Sequence, residues 1–369
     1  MTGLRGYYNR QCKEHTVYSW EDIYLLLNAS RYQSLGIYIK KRLLILIGIA
    51  TNMSFITRLL SSTYNTGPRQ KGGYSVGVEL ECIFACSPEN RATKEKRISK
   101  CLNEFAELVR GGVSGYNVVV VPGIRPSALT DAETELVTKN FVVGRDYTIK
   151  AGNQGFPIEI TTPVLTNGSW NDVIPRLMEH LQSTGKITFN YSTGLHIHIG
   201  TTDKEGNIYT ERFTCKELQQ IAKAVLLFEK QISTLHPTRD PLGEHGVKFY
   251  QYCGENALLS KLDMKQKIEM ISSLPSNDVN ALLNCINFTE IGFNRNFVFN
   301  FGSIVKYDTI ESRQPAGTLD HEWILDLITR TISLIENAIE TSDEQFLDWA
   351  TNGISDPGVY KKFGVPVPI

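Results

Sequence analysis

Four short stretches alternate apolar and polar residues with a period of two. They are "GVELECIF" (residues 77–84), "PIEITT" (157–162), "TGLHIHIG" (193–200) and "DTIESRQ" (308–314). A period of two is the signature of a strand with one face against a core. In the first, Val78, Leu80 and Cys82 share one face, and Glu79 and Glu81 share the other. In the second, Glu159 and Thr161 lie opposite Ile158 and Ile160. In the third, His196 and His198 lie opposite Leu195, Ile197 and Ile199; in the fourth, Thr309, Glu311 and Arg313 lie opposite Ile310. "YNVVVVPG" predicts a short buried strand, and "NRNFVFNFGSI" a strand close enough to "KYDTIESRQP" to be its hairpin neighbour.

Helical spacing marks three longer segments. "RISKCLNEFAELVRGG" carries Ile98, Leu102, Phe105 and Val109 and stops at two glycines. "TCKELQQIAKAVLLFEKQISTLHP" opens with a Thr214/Glu217 capping box and ends before Pro237. "DHEWILDLITRTISLIENAIE" starts at Asp320, and Ser342 with Gln345 predicts a second capping box on a short C-terminal helix. Strands at irregular spacing, with helices gathered between them, predict an α+β fold with a mainly antiparallel sheet and helices on one face.

Residues 1–72 read differently. They are rich in Tyr, Arg and Lys, and end in the turn-rich "SSTYNTGPRQKGG". The expected organisation is an ill-packed extension over 1–72, a compact domain over 73–340, and a C-terminal helix and tail over 341–369. "LLILIGIA" (43–50) is far short of the roughly 20 residues a membrane span needs. It begins too late for an ordinary signal peptide, and reads as a buried strand or short helix.

Composition narrows the function classes. The chain has 369 residues, 41% apolar and 21% charged, with a net charge of −1. No bulk field draws it to nucleic acid or an anionic membrane, so any ligand must be recognised by a local site. Its seven cysteines are odd in number and lack metal-type spacing. They predict reduced, mostly buried thiols in an intracellular, cytoplasmic protein. Interface residues look like any apolar surface, so the pattern sets no oligomeric state.

The polar strand faces carry the candidate chemistry. Each pattern alone has an ordinary explanation: E-x-E as a wet strand face, H-x-H as solvated histidines, E-x-R as a surface ion pair. All of them, however, sit on strands whose other face is apolar. Placed in one sheet, Glu79, Glu81, Glu159 and Glu311 would crowd and raise one another's pKa, a repulsion that divalent cations relieve. Glutamate oxygens suit Mg²⁺ or Mn²⁺, a neutral imidazole can complete the site, and Arg313 would face an anion.

The order E-x-E, H-x-H, E-x-R resembles the catalytic set of glutamine synthetase and its carboxylate–amine ligase superfamily. It resembles the amidoligase family more closely. "VGVELE", "GRDYTI" before "IEITTPVL", "STGLHIHIG" and "FNFGSIVKYDTIESRQPAGTLD" follow that family's motif series from about Gly77 to Asn337. "STLHPTRD" also looks like a family feature. Ser312 stands where such sequences carry an aromatic, on the core side of the strand.

The resemblance implies a glutamine-synthetase-like fold and an ATP-dependent ligase. A carboxylate is phosphorylated, and an amine displaces phosphate to give an amide; peptides or amino acids are candidate substrates. It implies metal ligands at Glu79, Glu81, Glu159, His196 and Glu311, with His198 on nucleotide phosphate. Arg313 would stabilise the transferred phosphoryl group. Arg295 and Asn300 are further candidates for substrate or nucleotide contact. Asp146 would hold the amine or a metal-bound water, or cap a turn. A metal-dependent hydrolase would use the same ligands, and a non-catalytic module of the same fold would lack them.

Overall fold

The central strand is β1, Tyr74–Phe84. The computed structural model describes residues 73–86, 93–121, 136–208, 212–236, 239, 250–289 and 292–368; the expectations for residues 1–72, "LLILIGIA" included, lie outside them. After β1 come α1 (Lys94–Gly112), β2 (Val118–Val121), β3 (Phe141–Gly144), β4 (Phe156–Thr161), β5 (Leu165–Thr166), α2 (Trp170–Ser183), β6 (Ile187–Thr188), β7 (Leu195–Thr201) and α3 (Cys215–Ser233). Then follow α4 (Met264–Ser273), α5 (Val279–Ile286), the hairpin β8 (Phe288–Thr289) and β9 (Gly292–Phe293), β10 (Phe299–Asn300), α6 (Ser303–Tyr307), β11 (Ile310–Ser312), α7 (His321–Glu340), α8 (Asp343–Asn352) and α9 (Pro357–Lys362).

Among the described residues, one nine-stranded sheet runs β10-β11-β7-β1-β4-β3-β2, with β5 and β6 also paired to β1. Every pairing in it is antiparallel except β2 with β3. The fold is therefore α+β with a mixed, mainly antiparallel sheet. The four alternating stretches form adjacent strands of this sheet. The register sets Glu79 opposite His196, Glu81 opposite Glu159, and His198 opposite Glu311. Directly opposed residues share a face, so all the candidate ligands lie on one side. The other side is hydrocarbon: Val78, Leu80, Cys82, Ile158, Ile160, Ile197, Ile199 and Ile310 are all buried. There α1 packs against β1, with the rings of Phe84 and Phe105 edge-on at 5.3 Å.

Several elements depart from the alternation pattern. "NRNFVFNFGSI" yields only two strand residues, and "SIVKY" coils into the single turn of α6 before β11. The expected pairing of β10 with β11 still forms across that turn. Ser342 caps α8 by accepting from the Gln345 N–H. The return half of the predicted capping box is not made; the Gln345 amide lies on Asp348 instead. The cysteine reading is corrected in part. Cys86 and Cys101 form a disulfide between the end of β1 and α1, their Cα atoms 5.6 Å apart, well within bridging range. Cys82, Cys215, Cys253 and Cys285 are free and buried, as expected.

The C-terminal helices are tied to the core by charge. Lys223, wholly buried on α3, donates to Gln220 Oε1 and Asp343 Oδ1, both at 2.8 Å. Lys216 donates to Asp343 Oδ2 at 2.7 Å, and the Gln220 amide donates to Thr341 O at 2.7 Å. Burial pushes the Asp343 carboxyl up, but the two lysines outweigh it and hold it at about 2. An unfolded aspartate titrates near about pH 4. The ion cluster therefore contributes stability that is present above about pH 4 and is lost as the pH falls towards 2. Urea melts across that window should show a steep loss in the native sequence. Asp343→Asn should begin less stable at neutral pH and lose less on acidification; equal slopes would contradict the pairing.

Candidate active site

The polar face of β1, β4, β7 and β11 gathers two groups of ligand atoms. In each group the chosen atoms lie within 4.8 Å of one another: Glu79, His198 and Glu311 in one, and Glu81, Asp146 and Glu159 in the other. His196 sits between them. Its Nδ1 is 3.1 Å from Glu79 Oε2 and 3.6 Å from Glu311 Oε1. Its Nε2 is 3.7 Å from Glu81 Oε1 and 3.3 Å from the Tyr250 hydroxyl. Both nitrogens of His196 are thus occupied. The imidazole with an open nitrogen is His198. Its Nδ1 is 2.9 Å from Thr309 Oγ1, while its buried Nε2 makes no hydrogen bond and faces Glu79 Oε1 at 3.3 Å. A proton on Nδ1, donated to Thr309, leaves the Nε2 lone pair for a cation, a familiar support for a metal-bound histidine.

The surrounding groups fix these side chains. Glu311 Oε2 accepts from the Asn300 amide at 2.7 Å and the Ser303 hydroxyl at 3.0 Å, and Glu311 Oε1 pairs with Arg313 Nη1. Burial would raise the Glu311 carboxyl, but the Arg313 guanidinium and the imidazoles of His198 and His196 together outweigh it and hold it at about 2. Asn300, proposed from the sequence for substrate or nucleotide, has its amide on Glu311 and its carbonyl on the Gly302 N–H. The structure therefore places it as a support for Glu311. Asp146 caps a turn, one of the two alternatives read from the sequence, and also lies with the acidic group. Its Oδ1 accepts from Thr148 N and Oγ1, closing a turn, and a carboxylate oxygen of the same residue joins Glu81 and Glu159. Arg295 is half-buried and close enough to lower the Glu159 pKa.

Two residues escaped the sequence pattern. Arg239 donates from Nη1 to Thr193 O at 2.6 Å and from Nη2 to the Tyr250 hydroxyl at 2.9 Å. Tyr250 in turn meets His196, and its ring lies under both Arg239 and Arg313. "STLHPTRD" contained Arg239, but nothing around Tyr250 marked it. Gly194, the glycine of "TGLHIH", makes this convergence possible. A Cβ there would sit 2.7 Å from Arg239 Nη1, 3.0 Å from Glu81 Oε2 and 3.1 Å from His196 Nε2.

The electrostatics show how crowded the face is. Burial, then Glu79, Asp146 and Glu81, push the Glu159 carboxyl well above its usual range. Burial also raises Glu81. Burial would raise Glu79 too, but the two imidazoles outweigh it and hold it well below the usual range. Burial works against a charge on His198, yet Glu311 and Glu79 outweigh it and raise its pKa. The oxygen-rich donor set and the open His198 nitrogen fit divalent cations.

Comparison with known proteins shows the family. A family model described as "Putative amidoligase enzyme" matches residues 73–334. The chain belongs to the amidoligase family. The family's description is that of a ligase of the amide-forming kind, and its match spans every strand that carries a candidate ligand. A search of curated proteins finds no match. Among solved structures, the chain is similar to a cryo-electron-microscopy structure of Plasmodium falciparum glutamine synthetase, at 13% identity and a TM-score of 0.32. That match covers 73% of this chain and 52% of the other, so the chain spans about half the length of the protein it resembles. Among the described residues, no helix is long and apolar enough to cross a membrane.

The raised groups set a pH-dependent expectation. Glu81, Glu159 and His198 hold protons more tightly in the metal-free fold than in the unfolded chain. Their contribution to metal-free stability is complete below the unfolded pKa values and is lost as the pH rises through the folded ones. Thermal melts in chelator should therefore fall as the pH rises from mildly acidic to mildly alkaline, and added Mg²⁺ should flatten that fall. Calorimetric titration with Mg²⁺ in buffers of different ionisation heat should record net proton release. Metal uptake without proton release would contradict the crowding.

Proposed function

We propose that this amidoligase is an ATP-dependent ligase. A substrate carboxylate oxygen attacks the γ-phosphorus, ADP leaves, and an acyl phosphate forms. An amine then attacks the acyl carbon, phosphate leaves, and the nitrogen gives up a proton. The observation that carries this reading is the pair of ligand groups on one sheet face beside Arg313, in a chain of this family. Glu79, His198 and Glu311 would hold one Mg²⁺ or Mn²⁺, and Glu81, Asp146 and Glu159 a second. Such ions neutralise phosphate charge and align attacking and leaving oxygens. His196, anchored by Tyr250 on one side and Glu79 on the other, keeps the two carboxylate groups in register. The polar side of the sheet then serves as the catalytic surface, as in the glutamine-synthetase-like fold the motif order implies.

Arg313 would supply the fixed positive charge. It is buried and paired to Glu311, and its Nε makes no hydrogen bond. A guanidinium held by one carboxylate, with donors remaining, suits the equatorial oxygens of a phosphoryl group in flight. Arg295, near Glu159, would steer an anionic substrate. An intracellular setting, where nucleotide is at hand, belongs to this reading; the Cys86–Cys101 bridge is the feature that pulls the other way.

Release of ADP and phosphate only when both a carboxylate and an amine are supplied is the expected result, with an amide product by mass spectrometry. Product hydrolysis without nucleotide would point to a metal-dependent hydrolase. Two variants should fail differently. Glu311→Gln should weaken Mg²⁺ binding, with turnover partly rescued by excess metal. Arg313→Ala should lower turnover roughly a hundredfold or more while metal binding stays near normal. Equal, mild effects on both would reduce the pair to a structural ion pair.

A further inference from the structure

Beyond the ligand groups, the far ends of β1 and β4 open into a cavity of about 870 Å³. Its wall is built from the Cys86–Cys101 bridge, the start of α1 and the segment 149–157, and the cations Arg97, Lys100, Arg145 and Lys150 all line it. No described lining residue is acidic. Lys100 reaches Glu104 at 3.8 Å. Among the described residues, Arg97, Arg145 and Lys150 have no carboxylate partner at all. Arg145 Nε is buried without a hydrogen bond, and its guanidinium rests on the rings of Tyr147 and Phe156.

Stability does not explain this arrangement. Like charges gathered around one cavity repel. Arg97 also lies in the first turn of a 19-residue helix, where the helix dipole disfavours a cation and favours an anion. The loop is held closely enough to shape the wall. Gly155, at φ +152°, approaches β1 so tightly that a Cβ would lie 2.4 Å from Phe84 O. The volume falls in the range of small-molecule sites.

Along the chain, the cavity wall runs directly into the acidic face. Arg145 lines it, and the next residue, Asp146, joins Glu81 and Glu159. Pro157 lines it as well, and Glu159 follows two residues along β4, about 7 Å away at strand spacing. We propose that the basic cavity holds a second, distal carboxylate of the acyl substrate while the reacting carboxylate lies at the acidic groups. This rests on the ligase reading and narrows its substrate to polycarboxylates, with an acidic peptide as the simplest case. Forked guanidinium–carboxylate pairs supply the recognition, and the flanking cations supply the attraction.

The test uses the full chain and a tetraglutamate peptide, with tetraglutamine as the neutral control and pyrophosphate as the phosphate control. Calorimetry without nucleotide should show tetraglutamate binding, no tetraglutamine binding, and weakening by added salt. Arg97→Glu and Lys150→Glu are exposed changes, to be checked by thermal melt. Each should weaken the peptide roughly tenfold or more. Lys265→Glu, an exposed charge reversal on α4 outside both sites, should bind the peptide as the native chain does. With ATP, Mg²⁺ and a mixture of primary amines, tetraglutamate should support ADP release, and each charge reversal should raise its KM by a similar factor. Equal affinity in native and reversed chains, no binding at all, or preferential pyrophosphate binding lost in the reversals would overturn the carboxylate site. Peptide bound and ATP bound with no ADP released would overturn its role as substrate anchor. Peptide bound by a chain that takes no ATP would overturn the ligase reading and leave the anion cavity standing.

Discussion

The structure is organised around burying several carboxylates on one face of a sheet. Taking a single carboxylate out of water is costly, and each further one adds repulsion. Glu81 and Glu311 are buried, and Glu159 lies close by. Protonation can relieve part of this, as the raised pKa values of Glu81 and Glu159 indicate. Imidazoles and guanidinium groups relieve another part. The remaining oxygens and the open His198 nitrogen are suited to cations that arrive with a substrate. Such a face is poor at holding the fold together, so the opposite face does it, with a buried layer made mostly of Val, Leu and Ile.

Rigidity follows from the same constraint. Glu311 is gripped by Asn300, Ser303 and Arg313, Glu81 by the Gly194 N–H, and His196 by Tyr250. Arg239 ties this shell to the backbone at Thr193 and Pro315. Each contact removes a rotamer the site would otherwise have to freeze during reaction, which is how preorganised sites lower barriers.

Much of this was written in the sequence as a period of two. Glu79/Glu81, His196/His198 and Glu311/Arg313 reveal their common face because strand geometry fixes the alternation whatever the partner strands are. What alternation cannot show is which strand lies beside which, so the division of labour between the two histidines stayed hidden. That depends on Thr309 reaching one ring and Tyr250 the other. Tyr250 comes from an irregular segment with no periodicity at all. β3 is a four-residue strand too short to stand out, and α2 carries Pro175 in its interior, which interrupts a helical reading. The Cys86–Cys101 bridge joins a strand end to a helix, a proximity that only tertiary packing creates.

The Lys223–Asp343 contact separates two boundaries that are easily taken as one. The family match ends at residue 334, within α7, whereas the counter-ion of a wholly buried lysine on α3 lies nine residues further on. A chain trimmed at the limit of shared sequence would keep the lysine and discard its carboxylate. Leaving a buried cation without its carboxylate costs stability, although water at the half-buried Asp343 side and the Gln220 carbonyl temper the loss. The heritable unit and the cooperative unit thus end at different places, and α8 belongs to the second.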